Sequence, residues 1–185
     1  MRLFTAIELT DPARSAIAAE QKRVVQTLGG GGGRLRLVKP EQMHLTLVFI
    51  GEVDETRGAA IATLMAGDIP IAPFRIGFGG VGAFPARGAP RALYLDVVEG
   101  VQAAIDLQAR VAARLAQKDV RPYHPHLTLG RWRESRASDR PRASLSPGRA
   151  EVAAVDVTGV VLFQSRISSS GPAYTRLAEA RLVCP

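Results

Sequence analysis

Two of the three histidines in this chain occupy equivalent positions in a repeated tetrapeptide. The sequence His-Leu-Thr-Leu stands at residues 44–47 and again at residues 126–129, and the third histidine, His124, flanks the second copy. Side chains alternate between the two faces of a β-strand, so the histidine and the threonine of each copy would share one face. Each strand would then present an imidazole beside a hydroxyl, with leucines on the opposite face.

Two such strands facing one another would surround a small anion with His44, His126, Thr46 and Thr128. Free histidine titrates near a pKa of ~6.5, so at neutral pH one imidazole can donate a proton while the other accepts one. Hydrolysis of a cyclic phosphodiester requires both roles, because a base takes a proton from the attacking water and an acid protonates the leaving oxygen. The threonine hydroxyls would donate hydrogen bonds to the non-bridging oxygens. The repeat therefore predicts acid–base chemistry on a phosphate.

Other uses of these histidines have less support in the sequence. A lone histidine in an apolar strand is usually a packed residue, but repetition of the whole tetrapeptide is hard to ascribe to packing. Zinc ligation by His44, His124 and His126 would lack nearby cysteines and a shell of carboxylates. A serine nucleophile would lack the Gly-x-Ser-x-Gly turn that exposes it. We therefore expect neither a metal nor a cofactor.

The composition is that of a globular protein with a basic surface. Hydrophobic residues make up 46% and charged residues 22% of the 185 residues, a length that suits one domain. The net charge is +7, and nearly all of the positive charge is arginine, which contacts phosphate in a bidentate geometry. This charge favours nucleic acid as a partner, although high arginine content also arises from genome composition.

The sequence also predicts where the protein works. No apolar stretch is long enough to cross a bilayer, and residues 1–9 alternate like a strand without a signal-peptide cleavage pattern. The single cysteine, Cys184, cannot form an internal disulfide. We therefore expect a cytoplasmic monomer that binds RNA ends or cyclic nucleotides, with no membrane association and no obligate protein partner.

Periodicity and turn residues predict alternating strands and helices along the chain. The predicted helices span residues 12–28, 54–67 and 101–118. The predicted strands span residues 2–9, 35–38, 43–50, 69–78, 91–98, 126–131, two segments around Gly159 within 152–163, and 174–183. Residues 77–90, which contain several glycines and prolines, are expected to form a loop or hairpin. Together these elements predict an α+β fold with two pseudo-symmetric lobes, each an antiparallel sheet with flanking helices, and an active-site cleft between them.

Two segments have compositions that do not predict a regular element. The five glycines at residues 29–33 are followed by Arg34 rather than by Lys-Ser/Thr, so we interpret them as a flexible connector and not as a phosphate loop. Residues 133–149 are rich in arginine, serine and proline and have no apolar period. They are either a mobile loop on the substrate face or an inert solvated excursion.

Further segments accompany the tetrapeptides in a characteristic order. They include Met-Arg-Leu-Phe at residues 1–4, Val-Lys-Pro-Glu at 38–41, Phe-Ile-Gly-Glu at 49–52, Gly-Ala-Phe-Pro at 82–85, Gly-Arg at 130–131, Gln-Ser at 164–165 and Gly-Pro-x-Tyr at 171–174. In this combination the chain resembles the two-histidine phosphoesterase superfamily. In detail it is similar to the bacterial and archaeal RNA 2′,3′-cyclic phosphodiesterases, long called 2′-5′ RNA ligases.

The resemblance implies a role for each motif residue. His44 would protonate the leaving oxygen, His126 would activate water, and Thr46 and Thr128 would bind the phosphate. The implied reaction opens a terminal 2′,3′-cyclic phosphate on RNA to a 2′-phosphomonoester, without metal or nucleotide, in one two-lobed domain over residues 1–185.

Several alternatives stay open on the sequence. Arg131 and Tyr123 are candidates to contact phosphate or base, although either could instead be a packing residue, and Tyr174 is interpreted as structural. The same histidines could join RNA fragments reversibly through a 2′-5′ linkage. A third alternative is a non-catalytic RNA-binding module that uses the arginines.

Overall fold

The computed structural model describes residues 1–28, 34–117, 122–141, 150–168 and 171–185. Its helices are α1 (Asp11–Thr27), α2 (Glu55–Met65) and α3 (Val101–Arg114). Its strands are β1 (Arg2–Glu8), β2 (Leu35–Leu37), β3 (His44–Glu52), β4 (Ile69–Pro70), β5 (Phe74–Phe84), β6 (Ala92–Glu99), β7 (His126–Trp132), β8 (Glu151–Val157), β9 (Gly159–Ser168) and β10 (Gly171–Val183). The predicted α+β class is confirmed.

The two motif strands lie next to each other at the centre of the strand order. That order is β4-β10-β9-β1-β3-β7-β6-β5-β8, with β2 pairing with β7 off this path. Strands β10, β9, β1 and β3 form one antiparallel array, and β7, β6, β5 and β8 form a second. The arrays meet through one pair of residues, Leu45 and Leu127. Each array therefore contributes one tetrapeptide to the junction.

The helices form where the sequence provides caps and an apolar stripe. The Thr10 hydroxyl caps α1 by accepting a hydrogen bond from the main-chain N–H of Ala13, and Pro12 occupies the first turn. Helix α1 packs against β8, α2 against β9 and β10, and α3 against β3 and β5. One hydrophobic core contains residues from both arrays, including Leu45 and Leu127. The core is therefore continuous between the two arrays, and the single domain over residues 1–185 stays a prediction.

The region between residues 69 and 90 differs from its prediction. The predicted strand over residues 69–78 is divided into β4 and the beginning of β5, and β5 continues to Phe84 through residues that were expected to form a loop. The glycines of β5 permit close packing instead of turning the chain. A Cβ on Gly79 would lie 2.2 Å from the carbonyl oxygen of Ala150, and one on Gly82 would lie 2.3 Å from the Tyr94 ring.

Two predicted irregular segments lie wholly or partly outside the described residues, and the described part of the second contains a short 3₁₀ helix, Ala137–Asp139. The glycine connector at residues 29–33 lies outside the described residues, as do residues 142–149 of the arginine-rich segment. Within the described part of the chain, none of the helices is long and apolar enough to cross a membrane.

Candidate active site

The tetrapeptides orient their side chains as the alternation predicts. Leu45 and Leu127 are fully buried, whereas His44 and Thr46 are only half-buried and line a cavity. Extending the antiparallel Leu45–Leu127 pairing by one residue in each direction places His44 opposite Thr128 and Thr46 opposite His126. The junction of the two arrays thereby brings both histidines and both threonines to one face of the sheet.

Each catalytic candidate is held by a main-chain carbonyl two residues before it. The Nδ1 atom of His44 lies 2.7 Å from the carbonyl oxygen of Gln42, and Nδ1 of His126 lies 2.7 Å from that of His124. Because a carbonyl oxygen only accepts hydrogen bonds, Nδ1 carries the hydrogen in both rings. The Nε2 atom of each ring is then the one that exchanges protons with a substrate.

Aromatic side chains enclose the His44 imidazole. Its ring stacks on Phe4 with centroids 4.9 Å apart and meets the edge of Tyr174 at 5.4 Å. Phe4, Phe163 and Tyr174 belong to a small hydrophobic cluster on this side of the sheet. Burial lowers the pKa of His44, and the hydrogen bond to the Gln42 carbonyl offsets only part of that effect.

His126 lies in a second aromatic environment that also contains charges. Its ring centroid is 4.9 Å from that of Phe84 and 5.3 Å from that of Tyr94. Burial is the main cause that lowers the pKa of His126, and the hydrogen bond to the His124 carbonyl opposes it. Electrostatic repulsion from Arg131 and from the neighbouring imidazole of His124 lowers the pKa of His126 further. Nearby Asp96, which is bonded to the His124 ring at 2.7 Å, has a small opposing effect on the same pKa.

A cavity of about 740 Å³ opens beside the motif strands. His44, Thr46 and Thr128 line it, whereas His126 lies outside its wall. The described lining residues include three arginines and no carboxylate, so the cavity favours an anion. The arginines are Arg2, Arg36 and Arg131.

A β-bulge follows the threonine in each motif strand. The pairing of β1 with β3 passes from Thr46 to Val48 and leaves Leu47 without a partner. The pairing of β6 with β7 passes from Thr128 to Gly130 and skips Leu129 in the same way. A bulge reverses the alternation of the side chains that follow it.

The two bulges explain how a residue three positions after each threonine reaches the cavity. Phe49 in β3 and Arg131 in β7 both line the cavity, although simple alternation would turn them away from Thr46 and Thr128. Phe49 is 55% exposed, and the Arg2 guanidinium lies 4.9 Å from its ring centroid. The residue three positions after the motif threonine is therefore aromatic in one array (Phe49) and cationic in the other (Arg131).

Buried polar side chains hold both bulges, and sequence reasoning missed them. The Thr5 hydroxyl accepts a hydrogen bond from the main-chain N–H of Val48 at 3.2 Å. The Gln21 side-chain amide donates to the carbonyl of Leu129 at 2.7 Å and to that of Val38 at 2.9 Å. The sequence did contain one indication of this contact: Gln21 is a polar residue at a position where helical spacing predicts an apolar, buried side chain of α1.

Of the remaining sequence candidates, Arg131 and Tyr174 line the cavity and Tyr123 does not. Arg131 lines the cavity, and its contact with substrate stays a prediction. The Tyr123 hydroxyl donates a hydrogen bond of 2.7 Å to the main-chain carbonyl of Thr46, and Tyr123 is not part of the cavity wall. Positioning of β3 therefore fits Tyr123 better than contact with substrate. Tyr174, interpreted from the sequence as structural, packs on His44 and also lines the cavity.

The described residues contain no group of three or more histidine, cysteine or acidic side chains that could hold a metal ion. His124 is directed towards Asp96, and its side chain remains half-exposed. The side chains of the described site supply two imidazoles for proton transfer, and hydroxyls and guanidiniums for anion binding.

Known proteins are similar to this chain over nearly its whole length. A model of the 2′-5′ RNA ligase superfamily matches residues 15–166. An RNA 2′,3′-cyclic phosphodiesterase of Archaeoglobus fulgidus is 33% identical and spans 96% of this chain and 98% of its own. A protein of the same name from Thermus thermophilus is 32% identical and spans 98% and 90%. The apo structure of E. coli LigT matches with a TM-score of 0.77 and 27% identity over 98% of this chain and 97% of its own. LigT has also been solved in complex with 3′-AMP, with a TM-score of 0.75 and 27% identity over 98% of both chains.

Proposed function

Because the chain belongs to the 2′-5′ RNA ligase superfamily, we propose that it hydrolyses terminal 2′,3′-cyclic phosphates on RNA to 2′-phosphomonoesters. The observation that carries this proposal is that His44 and His126 lie on one face of the sheet, each with Nδ1 fixed by a carbonyl. Two threonines accompany them beside an arginine-lined cavity. The names of the relatives and the 3′-AMP bound to E. coli LigT support the same substrate class.

In the proposed reaction, His126 acts as the base and His44 as the acid. Water attacks phosphorus as its proton passes to Nε2 of His126. The bond between phosphorus and the 3′ oxygen breaks, and that oxygen takes a proton from Nε2 of His44. The product carries a 2′-phosphate and a 3′-hydroxyl, and proton exchange with solvent restores both rings. The imidazoles supply both proton transfers, so the proposal needs no metal.

The charges around the two rings support this direction. Burial and the positive charge of Arg131 both disfavour a charge on His126, so this ring is suited to begin as a neutral base. His44 has no such neighbour among the causes of its lowered pKa. A bound phosphate carries negative charge, which would favour the protonated His44 that the acid role requires.

The threonines are proposed to hold the charge that accumulates on the phosphate. Thr46 and Thr128 lie opposite the two histidines across the strand junction, and both line the cavity. Their hydroxyls would donate to the two non-bridging oxygens, whose charge increases as water attacks. Tyr123 fixes the Thr46 backbone through its hydrogen bond, and it would act on the substrate only through that strand.

A turnover assay tests the proposal. The purified protein is incubated in EDTA with a short RNA that ends in a 2′,3′-cyclic phosphate, and the product is identified by chromatography against 2′- and 3′-phosphate standards. We expect the 2′-phosphate. His44→Ala and His126→Ala should each lose roughly 10²- to 10⁴-fold in kcat, because each removes one proton-transfer group.

His124→Ala is the matched control, since it removes the third histidine but keeps the carbonyl that holds His126. We expect it to lose far less activity than either motif variant. Unchanged substrate with the wild-type protein, or activity that survives both motif substitutions, would contradict the proposal. Salt-dependent RNA binding without turnover would instead favour a non-catalytic RNA-binding module.

The same assay separates hydrolysis from ligation. An added RNA fragment with a free 5′-hydroxyl offers an alternative nucleophile to water. Formation of a 2′-5′-linked product would show that the site also joins RNA fragments. We propose hydrolysis as the principal activity of a cytoplasmic monomer. Size-exclusion chromatography with light scattering tests the oligomeric state.

A further inference from the structure

The Tyr174 side chain leans across the sheet towards the catalytic strands. In the strand order, β9 and β1 lie between β10, which carries Tyr174, and β3, which carries His44. The Tyr174 ring lies 6.3 Å from that of Phe163 in β9 and 5.1 Å from that of Phe4 in β1, measured between centroids. It also meets the His44 imidazole edge-on, with centroids 5.4 Å apart and an interplanar angle of 87°. The hydroxyl is at the end of the ring farthest from β10, so it is directed towards the catalytic centre.

The Tyr174 hydroxyl is placed to bind a ligand. Tyr174 is half-buried and lines the cavity beside Thr46. The Tyr123 hydroxyl donates to the Thr46 carbonyl, whereas no described residue forms a hydrogen bond with the Tyr174 hydroxyl. A phenylalanine would make the same ring contacts with Phe4 and Phe163, so packing alone does not require the hydroxyl. Because a tyrosine hydroxyl in a partly buried position usually has a hydrogen-bond partner, we expect that partner to come from the contents of the cavity.

Two arginines act electrostatically on the Tyr174 phenol. Burial raises the pKa of Tyr174, and the positive charges of Arg131 and Arg2 oppose this effect only in part. The hydroxyl therefore keeps its proton at neutral pH and serves as a hydrogen-bond donor. The charge of Arg131 also lowers the pKa of His126. One guanidinium thus acts on both the Tyr174 phenol and the base of the proposed reaction, which indicates that the phenol borders the space in which the phosphate reacts.

We propose that Tyr174 is a further catalytic residue, whose hydroxyl donates a hydrogen bond to a non-bridging oxygen of the reacting phosphate. This inference rests on the proposed function, because it takes the cyclic phosphate to lie between the two histidines. A phosphate oxygen has several lone pairs, so it accepts from Tyr174 and from a motif threonine at the same time. The hydrogen bond strengthens as negative charge grows on the phosphate in the transition state. The packing of the Tyr174 ring on His44 is a separate role.

Tyr174→Phe tests the hydroxyl apart from the ring. The substitution removes the donor and keeps an aromatic ring against His44. We expect kcat/KM for a nucleoside 2′,3′-cyclic phosphate to fall about tenfold, mainly through kcat, because a hydrogen bond to a charged group is lost. A kcat/KM equal to that of the wild type would overturn the proposal.

Tyr94→Phe is the matched control. The Tyr94 ring lies 5.3 Å from that of His126, the other catalytic histidine, but Tyr94 does not line the cavity. We expect this variant to retain most of the wild-type kcat/KM. An equal loss in the two variants would reveal a general effect of a phenol beside a histidine and would overturn the assignment of Tyr174.

The pKa of His44 distinguishes contact with substrate from an effect on the imidazole. NMR titration of the free protein should give the same His44 pKa in the wild type and in Tyr174→Phe, because the ring that buries His44 is retained. A loss of rate accompanied by a shifted His44 pKa would show that the hydroxyl acts through His44 and would overturn the direct contact. Thermal unfolding checks that both variants are folded at the assay temperature.

A binding measurement separates this inference from the proposed function. Titration calorimetry measures the affinity for a nucleoside 2′-phosphate, which needs no turnover. Binding that is weaker by about tenfold in Tyr174→Phe supports the contact, whereas equal affinities, or no binding by the wild type, overturn it. If the wild type binds this ligand but hydrolyses no cyclic phosphate, the proposed function fails while affinity still decides whether the Tyr174 hydroxyl holds a phosphate.

Inorganic phosphate identifies the group that the hydroxyl binds. Its affinity is measured from the NMR chemical shifts of the two motif imidazoles in the wild type and in Tyr174→Phe. A similar loss with inorganic phosphate and with the nucleoside 2′-phosphate supports a contact with the phosphate. A loss confined to the nucleotide would place the hydroxyl on the nucleoside and overturn the proposal.

Discussion

At the scale of single residues, the character of the site depends on what holds each imidazole. A carboxylate partner would stabilise the charged ring and raise its pKa, whereas the carbonyls of Gln42 and His124 fix the ring orientation with a neutral acceptor. Burial among aromatic side chains then dominates, and the pKa values of His44 and His126 are both lowered. Both rings are therefore mostly neutral in the free protein at neutral pH.

The lowered pKa values predict the pH dependence of catalysis. A reaction that needs one charged and one neutral histidine gives a bell-shaped profile of kcat/KM between the two pKa values. Since both values are lowered, we expect the maximum to lie below pH ~6.5, the usual pKa of histidine. The profile of kcat should shift to higher pH, because bound phosphate stabilises the protonated rings.

Steady-state rates between pH 4.5 and 9 with a cyclic nucleotide measure both profiles. His44→Ala or His126→Ala should remove one limb from any activity that remains. A kcat/KM profile that is flat over this range, or one centred well above neutral pH, would count against two buried histidines as the titrating groups. Solvent-viscosity controls establish that chemistry limits the rate across the range.

At the scale of secondary-structure elements, the two bulges determine which side chains reach the substrate. Without the extra residue at Leu129, Arg131 would point away from Thr128 and would not line the cavity. The Leu129 carbonyl accepts hydrogen bonds from the main-chain N–H of Val38 and from the Gln21 side chain. Helix α1 thus stabilises the geometry of a strand that is distant in the sequence.

Gln21→Leu tests the coupling between α1 and this bulge. The substitution removes the hydrogen bonds that the Gln21 side chain donates to the main-chain carbonyls of Val38 and Leu129. We therefore expect a loss of about 1–3 kcal/mol in the free energy of unfolding. If Arg131 also shifts, KM for the cyclic substrate should rise by more than kcat falls. Urea unfolding and steady-state kinetics measure the two effects.

Gln26→Leu is the matched control, because Gln26 is an exposed glutamine on the same helix. We expect it to change neither the stability nor KM by a comparable amount. A Gln21→Leu variant that matches the wild type in both measurements would show that the bulge does not depend on this side chain.

At the scale of the whole molecule, the site exists because two similar arrays meet at one point. β3 and β7 pair only through Leu45 and Leu127, and further along β7 the pairing partner is β2. The catalytic face is thereby formed at the junction, and Arg36 enters it from β2. The arrays are similar in strand arrangement but not in chemistry, since Phe49 occupies the position that corresponds to Arg131.

The free energy of unfolding should depend on pH, because burial lowers the pKa values of His44 and His126 in the folded state. A histidine whose pKa is lower in the folded state binds fewer protons than the unfolded chain, so stability is retained above the unfolded pKa of ~6.5 and is lost as the pH falls towards the folded value. We expect His44→Gln to lose less stability than the wild type between pH 6.5 and 5, since glutamine does not titrate.

Chemical denaturation at several pH values measures this difference, with the two proteins compared at pH 7.5 as the reference. Acidic groups titrate in both proteins and cancel in the comparison. If the free energy of unfolding depends on pH identically in the two proteins, protonation of His44 does not destabilise the folded state.

Much of the site follows from local pattern. Strand alternation, which depends only on backbone geometry, predicts that the histidine and the threonine of each tetrapeptide share one face of the sheet; these are His44, Thr46, His126 and Thr128. The α+β class results from strand and helix periodicities in the same way. The β5 glycines misled the prediction, because a glycine that permits close packing and one that turns the chain cannot be distinguished without the neighbouring strand.

The sequence by itself determined the reactive groups, their pairing within each tetrapeptide and the affinity for anions, because these depend on residue type and on neighbours along the chain. Only the tertiary structure decided that Arg131 reaches the cavity, that Arg36 stands opposite it, and that Tyr123 and Gln21 position the motif strands. These relations depend on strand register, on two single-residue bulges and on hydrogen bonds between distant segments. A shift of one residue would turn the same side chains to the opposite face, so the packing of the folded chain has to select them.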